Sequence, residues 1–241
     1  MTERNKCQQC AVRSQSLCNT IGSEAAGDLA RIVHRLRVPE GRIIYGDHER
    51  SKTYSIIVSG VVKLVNTRPD GRHQIAGLQF PGDFVGRPYA ATSNLTAEAA
   101  TDLELCSFSG RVFEDLLAKH AELERALLQR ILLDLDAARE WMFLLGSKSA
   151  EEKVSTFLSM IHDKMVLSGS LEVGAQGQSM IPLPLSRTEI SECLSLRLET
   201  VSRQFSQLKS RGIIETSGRR QFRIIDMAAL RAYSDAQSVS A

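Results

Sequence analysis

The chain has 241 residues, enough for one large core or two modest ones. With 43% hydrophobic and 24% charged residues it has the composition of a soluble globular protein, and no apolar run approaches the roughly 20 residues that cross a bilayer. A net charge of +2 argues for no polyanionic partner by itself, but residues 186–223 hold eight Arg or Lys against four Glu, the local basic excess that DNA phosphates attract.

Met1 to Gln9 lack the apolar stretch of a secretory signal, so a cytoplasmic location and no membrane partner are expected. Residues 1–21 form a leader without helical or strand periodicity, and it carries three of the five cysteines: Cys7, Cys10 and Cys18. Cys106 and Cys193 stand far downstream. In a reducing compartment clustered cysteines more often bind metal or react than form disulfides. An amphipathic helix is predicted over Ser23 to Leu36, followed by short β-branched strands. Thr53 to Val58, Gly60 to Asn66, Gln74 to Phe80 and Leu103 to Phe108 are the clearest, with turn residues such as Asp70-Gly71 between them. That pattern predicts an antiparallel sandwich or roll.

From Gly110 the pattern turns helical, with a short helix to Leu117 and a long one from His120 to Leu145. In the long helix Leu128, Leu135 and Met142 recur every seven residues, as do Ile131, Ala138 and Leu145. Such a heptad seam pairs two helices, so a homodimer is expected, which suits a palindromic DNA site. Gly146 to Ser149 reads as a hinge, Ala150 to Met165 as a helix, and Ser168 to Ser179 as a glycine-rich loop or hairpin.

Ser186 with Glu189 three residues on makes a capping box for a helix over Arg187 to Leu194. A turn at Ser195 to Arg197 leads to a second helix, from about Leu198 to Arg211, which Gly212 ends. Ile190, Leu194, Leu196, Val201, Phe205 and Leu208 are the expected contacts between the two. Glu199, Ser202 and Arg203 share the exposed face at the start of the second helix, the part that reaches base edges in the major groove. Arg203 can fork onto guanine and Glu199 can accept from cytosine. Arg187, Thr188, Arg197 and Thr200 complete the expected DNA-contacting set, with Arg219 and Arg220 at the tip of a β-hairpin wing, against the phosphates of double-stranded DNA.

Glu199-Thr200-Val201-Ser202-Arg203 resembles the recognition helix of the FNR branch of the CRP/FNR regulators. Gly60-Val61-Val62-Lys63, Pro81 to Gly86 and Ala150-Glu151-Glu152-Lys153 resemble other segments of that family, so the likeness runs through nearly the whole chain. It implies an α+β chain: a cysteine-rich leader (1–21), an antiparallel β-roll like that of cyclic-nucleotide-binding domains (22–119), a dimerisation helix (120–146) and a winged helix-turn-helix (147–241). By the same resemblance the half-site is TTGAT paired with ATCAA, because Leu198 stands where the CRP branch has Arg. RNA polymerase is an implied partner. Ser195 departs from the Gly that many relatives carry in the turn.

Cyclic-nucleotide-binding relatives follow the residue at Gly86 with Glu and carry a later Arg-Ser pair; here those positions read Arg87 and Thr96-Ala97, so no cyclic nucleotide is expected. Four thiolates can hold a [4Fe–4S] cluster or a zinc ion. The FNR branch joins a leader cluster to one cysteine at the end of the roll, where Cys106 lies, and a hydrophobic residue like Leu17 shields the cluster from oxygen. The resemblance thus implies Cys7, Cys10, Cys18 and Cys106 as ligands to one [4Fe–4S] cluster per subunit, and an oxygen-responsive activator of genes for low-oxygen metabolism. The alternatives are a clusterless activator of the FixK type and a zinc-bound regulator, controlled by abundance or cysteine oxidation. No catalytic pattern is present: the five histidines are scattered and no nucleophile or phosphate-binding motif occurs, so the chain is not expected to be an enzyme.

Overall fold

A computed structural model describes residues 7, 9–49, 52–67, 71, 73–90, 92–169 and 179–234. Asp70 of the expected turn and residues 170–178 of the expected glycine-rich loop lie outside the described residues, as do residues 1–6 and 8 of the leader. The chain divides into two compact units, Met1–Ala138 and Arg139–Ala241. The long helix runs across that division.

In the first unit the leader forms two short 3-10 turns, Arg13–Gln15 and Leu17–Asn19, where the sequence showed no periodicity. Helix α1 (Ser23–Ile32) is shorter than the predicted Ser23 to Leu36, because residues 34–38 leave the helix to become strand β1 (His34–Val38). Basic residues on that strand let it pass for the polar face of a helix. Strands β2 (Ile43–Tyr45), β3 (Thr53–Ser59), β4 (Val62–Thr67), β5 (His73–Gln79), β6 (Phe84–Val85), β7 (Thr96–Ala99) and β8 (Leu103–Ser109) follow. They build two four-stranded antiparallel sheets, ordered β1-β8-β3-β6 and β2-β7-β4-β5, which make the roll.

Side-chain parity decides what each face of the first sheet buries. Ile57 of β3 and Leu103 and Leu105 of β8 join Val62, Val85, Ala97 and Ala99 in the core inside the roll. Tyr54 and Ile56 of β3 and Cys106 and Phe108 of β8 point the other way. There they meet Val12, Leu17 and Ile21 of the leader, Phe113 and Leu117 of helix α2 (Gly110–Lys119), and Leu123, Ala126 and Leu127 of helix α3 (Ala121–Ser147). Both faces are therefore covered, and the leader is one of the coverings. The rings of Tyr54, Phe84, Phe108 and Phe113 lie 5.3–6.0 Å apart in this second core, a spacing that adds aromatic attraction to area burial.

Gly60 links β3 to β4 at φ +87°, and a Cβ there would lie 2.2 Å from the Asp102 carbonyl oxygen. Gly41 has a similar φ of +80° with open space around it. Left-handed backbone costs a side chain about 1–3 kcal/mol. Gly41→Ala should lose about that much in denaturant melts, and Gly60→Ala clearly more, since the backbone must also move. Equal losses would mean the approach to Asp102 is relaxed without cost.

In the second unit helix α4 (Ala150–Leu167) starts from a capping box of Ser149 with Glu152. Because α3 continues through Gly146 and Ser147, the expected hinge at Gly146 to Ser149 shrinks to Lys148 and Ser149. Helices α5 (Arg187–Leu194) and α6 (Leu198–Ser210) form the helix-turn-helix, and α7 (Met227–Ser234) packs on α4. Strands β10 (Ile214–Ser217) and β11 (Gln221–Ile224) form the wing hairpin, and β9 (Ile181–Pro182) adds a third strand beside β11.

Candidate functional site

The capping box of α5 has both its bonds: the Glu189 amide donates to Ser186 Oγ at 3.3 Å and the Ser186 amide to Glu189 Oε2 at 2.8 Å. After α5 the chain reverses through Ser195, held left-handed at φ 53° and ψ 46°. The Leu196 amide donates to the Ser191 carbonyl at 2.9 Å, which fixes that turn despite the absent glycine. Ile190, Leu194, Val201, Phe205 and Leu208 are buried between the helices, whereas Leu196 is only half-buried. The angle between α5 and α6 is thus set by packing.

Glu199, Ser202 and Arg203 are all exposed on the first turns of α6, with Arg197 just before them. Arg197 stands at the N-cap and supplies no side-chain cap, so the first amides of α6 remain open to an anionic oxygen. Thr188 is exposed and Thr200 half-buried. Arg219 and Arg220 are exposed in the turn of the wing, after Gly218 at φ 59°. Arg187, also of the expected set, is half-buried. Its guanidinium carbon lies 3.2 Å from the centroid of the Phe205 ring, and burial lowers its pKa to about 10. It packs inside the helix pair as a cation over an aromatic face and does not stand with the exposed arginines.

In the first unit the leader and the roll bring four thiols together. Cys7, Cys10, Cys18 and Cys106 line one small cavity, partly open to solvent, whose other walls include Val12, Ile21, Leu29, Val33, Ile56 and Phe108. Parity along β8 turns Cys106 toward this cavity, while Cys18 reaches it from the second 3-10 turn and Cys7 and Cys10 from the residues before the first. The Arg13 amide donates to the Cys10 carbonyl at 3.0 Å, and the Cys18 amide to Ser16 Oγ at 3.4 Å. Arg13 Nη1 reaches the Cys7 carbonyl at 3.4 Å. A hydrogen bond from the Cys106 thiol lowers the Cys10 pKa to about 5, with the Val12 amide and the Arg35 charge acting in the same direction. Donating that bond, together with burial, pushes Cys106 up. Burial raises Cys18 to about 11. Cys193 is buried in the second unit, far in sequence from the other four, and its thiol is pushed up by burial first, with the Glu189 and Glu192 charges adding to it.

Two further contacts tie this leader down. Arg130 of α3 donates to the Gln15 carbonyl at 3.4 Å and pairs with Asp83 and, at 3.3 Å, with Asp134. Gly82 approaches so closely that a Cβ there would lie 3.1 Å from Gln15. Among the described residues a single set of three His, Cys, Asp or Glu ligand atoms lies within 4.8 Å of one another, that of Glu24, Asp28 and His120. Its central carboxylate already accepts from Lys119 Nζ at 2.6 Å and faces His120 Nε2 at 3.0 Å, a pairing that joins α1 to the end of α2.

The heptad seam of α3 is open. Leu128, Ile131, Leu135, Ala138 and Met142 are exposed, Met142 at 72%, and Leu145 is half-buried. Leu132 and Phe143 are exposed as well. An exposed apolar stripe of this size is the kind of surface by which chains associate.

Two family models match the chain: a cyclic nucleotide-binding domain over residues 35–120 and a Crp-like helix-turn-helix domain over residues 152–233. A probable transcriptional activator of Rhizobium leguminosarum bv. viciae is 40% identical over 93% of this chain and 91% of its own length. The transcriptional activator protein FnrL of Cereibacter sphaeroides is 36% identical, with 94% and 90% covered. Among solved structures, FixK2 from Bradyrhizobium japonicum is 31% identical and superposes with a TM-score of 0.74 over 84% of this chain and 97% of that one.

Proposed function

The chain belongs to the CRP/FNR family of transcription regulators, and on that footing we propose that it is an oxygen-responsive dimeric activator. In this reading two copies occupy an FNR-type palindrome, TTGAT paired with ATCAA, while each holds a [4Fe–4S] cluster. Genes for low-oxygen metabolism are then the controlled set, RNA polymerase is the partner on DNA, and the cytoplasm is the compartment. The observation that carries the reading is the convergence of Cys7, Cys10, Cys18 and Cys106 on one cavity with apolar walls. The donor set fits: four soft thiolates suit iron–sulfur ligation, and one of them comes from the rigid sheet while three come from the leader. When bound, the cluster supplies an oxygen-labile redox centre at the base of the leader.

The chain's own residues explain how such a site reaches DNA. Val12, Leu17 and Ile21 lie in the same core as Leu123, Ala126 and Leu127 of α3. Arg130 grips the leader backbone from α3 one residue before Ile131 of the seam. Order in the leader therefore stabilises the N-terminal turns of the helix that pairs the subunits. A dimer presents two copies of Glu199, Ser202 and Arg203, and a monomer presents one. The equilibrium between them is the two-state element that ligation biases.

Anaerobic reconstitution with iron and sulfide, followed by an ultraviolet–visible spectrum and a DNA-retention assay before and after air, tests this reading. A thiolate-to-iron absorbance that air bleaches in step with DNA release supports it. DNA binding unchanged by air would sink it. Similarity to FixK2 favours a second reading, in which a clusterless activator of the FixK type is governed by abundance or cysteine oxidation. That reading requires no iron absorbance, and a zinc-bound regulator would take up zinc in place of iron. Cyclic nucleotide is not the effector in the preferred reading, since Arg87 stands where relatives carry Glu and reaches instead for the Thr92 carbonyl at 3.4 Å.

Leu135→Glu tests the seam. Pairing would bury two carboxylates against each other, each costing several kcal/mol to desolvate. The dimer dissociation constant should rise about 100-fold or more in sedimentation, equivalent to roughly 2.7 kcal/mol. An unchanged constant would mean that the subunits pair elsewhere.

A further inference from the structure

The sheet that carries Cys106 also carries a cation. Strand β1 pairs antiparallel with β8, and Arg35 is the residue directly opposite Cys106. Directly opposed residues of an antiparallel pair project from the same face, so this register puts the Arg35 side chain beside the Cys106 thiol, on the side the leader covers. There Arg35 Nη2 donates to the Cys10 sulfur at 3.9 Å. Its Nη1 lies 3.4 Å from Glu104 Oε1, within ion-pair range, yet is buried without a hydrogen-bond partner. Arg35 is thus a guanidinium with one arm on a cysteine ligand from the leader, set across the ladder from the ligand on the sheet, and with buried donor capacity left over.

We propose that Arg35 is a positioning residue for the four-thiolate site: it donates to the Cys10 sulfur, offsets the negative charge of the ligand set, and so raises the reduction potential of the bound cluster and slows its loss. The inference rests on the [4Fe–4S] reading of Cys7, Cys10, Cys18 and Cys106 and extends it to a residue outside the ligand set. Its physical basis is general. Four thiolates around a [4Fe–4S] core carry net negative charge, and hydrogen bonds and charges near the sulfurs are what tune such a centre. A charge-assisted bond in a partly buried site is stronger than the same bond in water. Glu104 works against Arg35 here, because its carboxylate draws the same guanidinium and adds a negative charge nearby.

That opposition supplies a test in which charge and structure predict different signs. Arg35→Gln, Arg35→Lys and Glu104→Gln are made in the full chain, reconstituted anaerobically, and compared for reduction potential and for the rate at which a ferrous chelator strips iron. Arg35→Gln should lower the potential and speed stripping, with iron affinity down on the order of 10-fold. Arg35→Lys, which keeps the charge, should stay near the wild type. Glu104→Gln should raise the potential. If the Arg35–Glu104 pair only braces the strands, Arg35→Gln and Glu104→Gln will shift the potential in the same direction or not at all, and the inference fails. Should the wild-type chain take up no iron and sulfide, the [4Fe–4S] reading itself fails, which is a distinct result. If Arg35→Gln does not fold, the signs seen with Arg35→Lys and Glu104→Gln still decide.

Discussion

Cys106→Ala is expected to leave a folded chain that no longer takes up iron and sulfide. Cys106 is 7% exposed in the core beneath the leader, so loss of its sulfur costs packing energy on the order of 1 kcal/mol, too little to unfold the roll. Its loss from the ligand set is far heavier. The other three thiols all belong to the leader, and none of them stands on a strand of the sheet. Without Cys106 the leader has no covalent tie to the roll through a bound group, and keeps its own packing, the grip of Arg130 and the Arg35–Cys10 hydrogen bond. Anaerobic iron content should fall by more than the roughly 10–100-fold that losing a mere outer partner costs. DNA retention should then be equally low in air and under argon. Cys193→Ala is the matched control, a buried thiol in the other unit, and should keep iron at the wild-type level. Full iron uptake by Cys106→Ala would overturn the four-thiol assignment.

Arg203→Ala should weaken binding at the cognate palindrome by about 1–3 kcal/mol per half-site, by loss of a two-pronged contact to guanine. Its exposure on the first turns of α6, beside Glu199 and Ser202, is what makes base contact feasible. Binding to scrambled DNA should change little. Arg219→Ala, in the wing turn, should instead weaken all sequences alike and lower the salt slope by about one. Fluorescence anisotropy across a salt series on both DNAs separates the two patterns. Uniform weakening by both variants would move the reading face away from α6.

The helix-turn-helix was the most legible part of the chain. Ser186 with Glu189, the apolar spacing from Ile190 to Leu208, and Gly212 at φ 71° are all local signals, and α5 runs over the residues they bound. An arginine at a helix start reads as solvated, and only the packed structure reveals Phe205 beneath Arg187. Strand β1 was hidden for a related reason. His34-Arg35-Leu36-Arg37-Val38 alternates, but it follows an amphipathic helix whose period it continues by chance, and its partner β8 lies about seventy residues on. The short strands β2 and β6 hold two or three residues each, too few for any period to emerge. With β1 unseen, Arg35 could not be set opposite Cys106. The convergence of cysteines from the leader and the roll is likewise long-range. Spacing gave the donors, family likeness joined them, and the parity of β8 supplies the physical reason.

The shared core beneath the first sheet bears on how variants of this chain should be built. Val12, Leu17 and Ile21 bury against Phe113, Leu117 and Leu123 in the same cluster that holds Cys106. An allele truncated before α1 therefore removes cavity wall and three of its four thiols at once, and strips cover from Tyr54 and Phe108. Its phenotype would mix a missing sensor with a damaged fold, and poor yield or proteolysis could pass for regulation. Single cysteine replacements keep the wall and remove one sulfur each. They, and not deletions, are the faithful genetic imitation of a chain that has lost its signal.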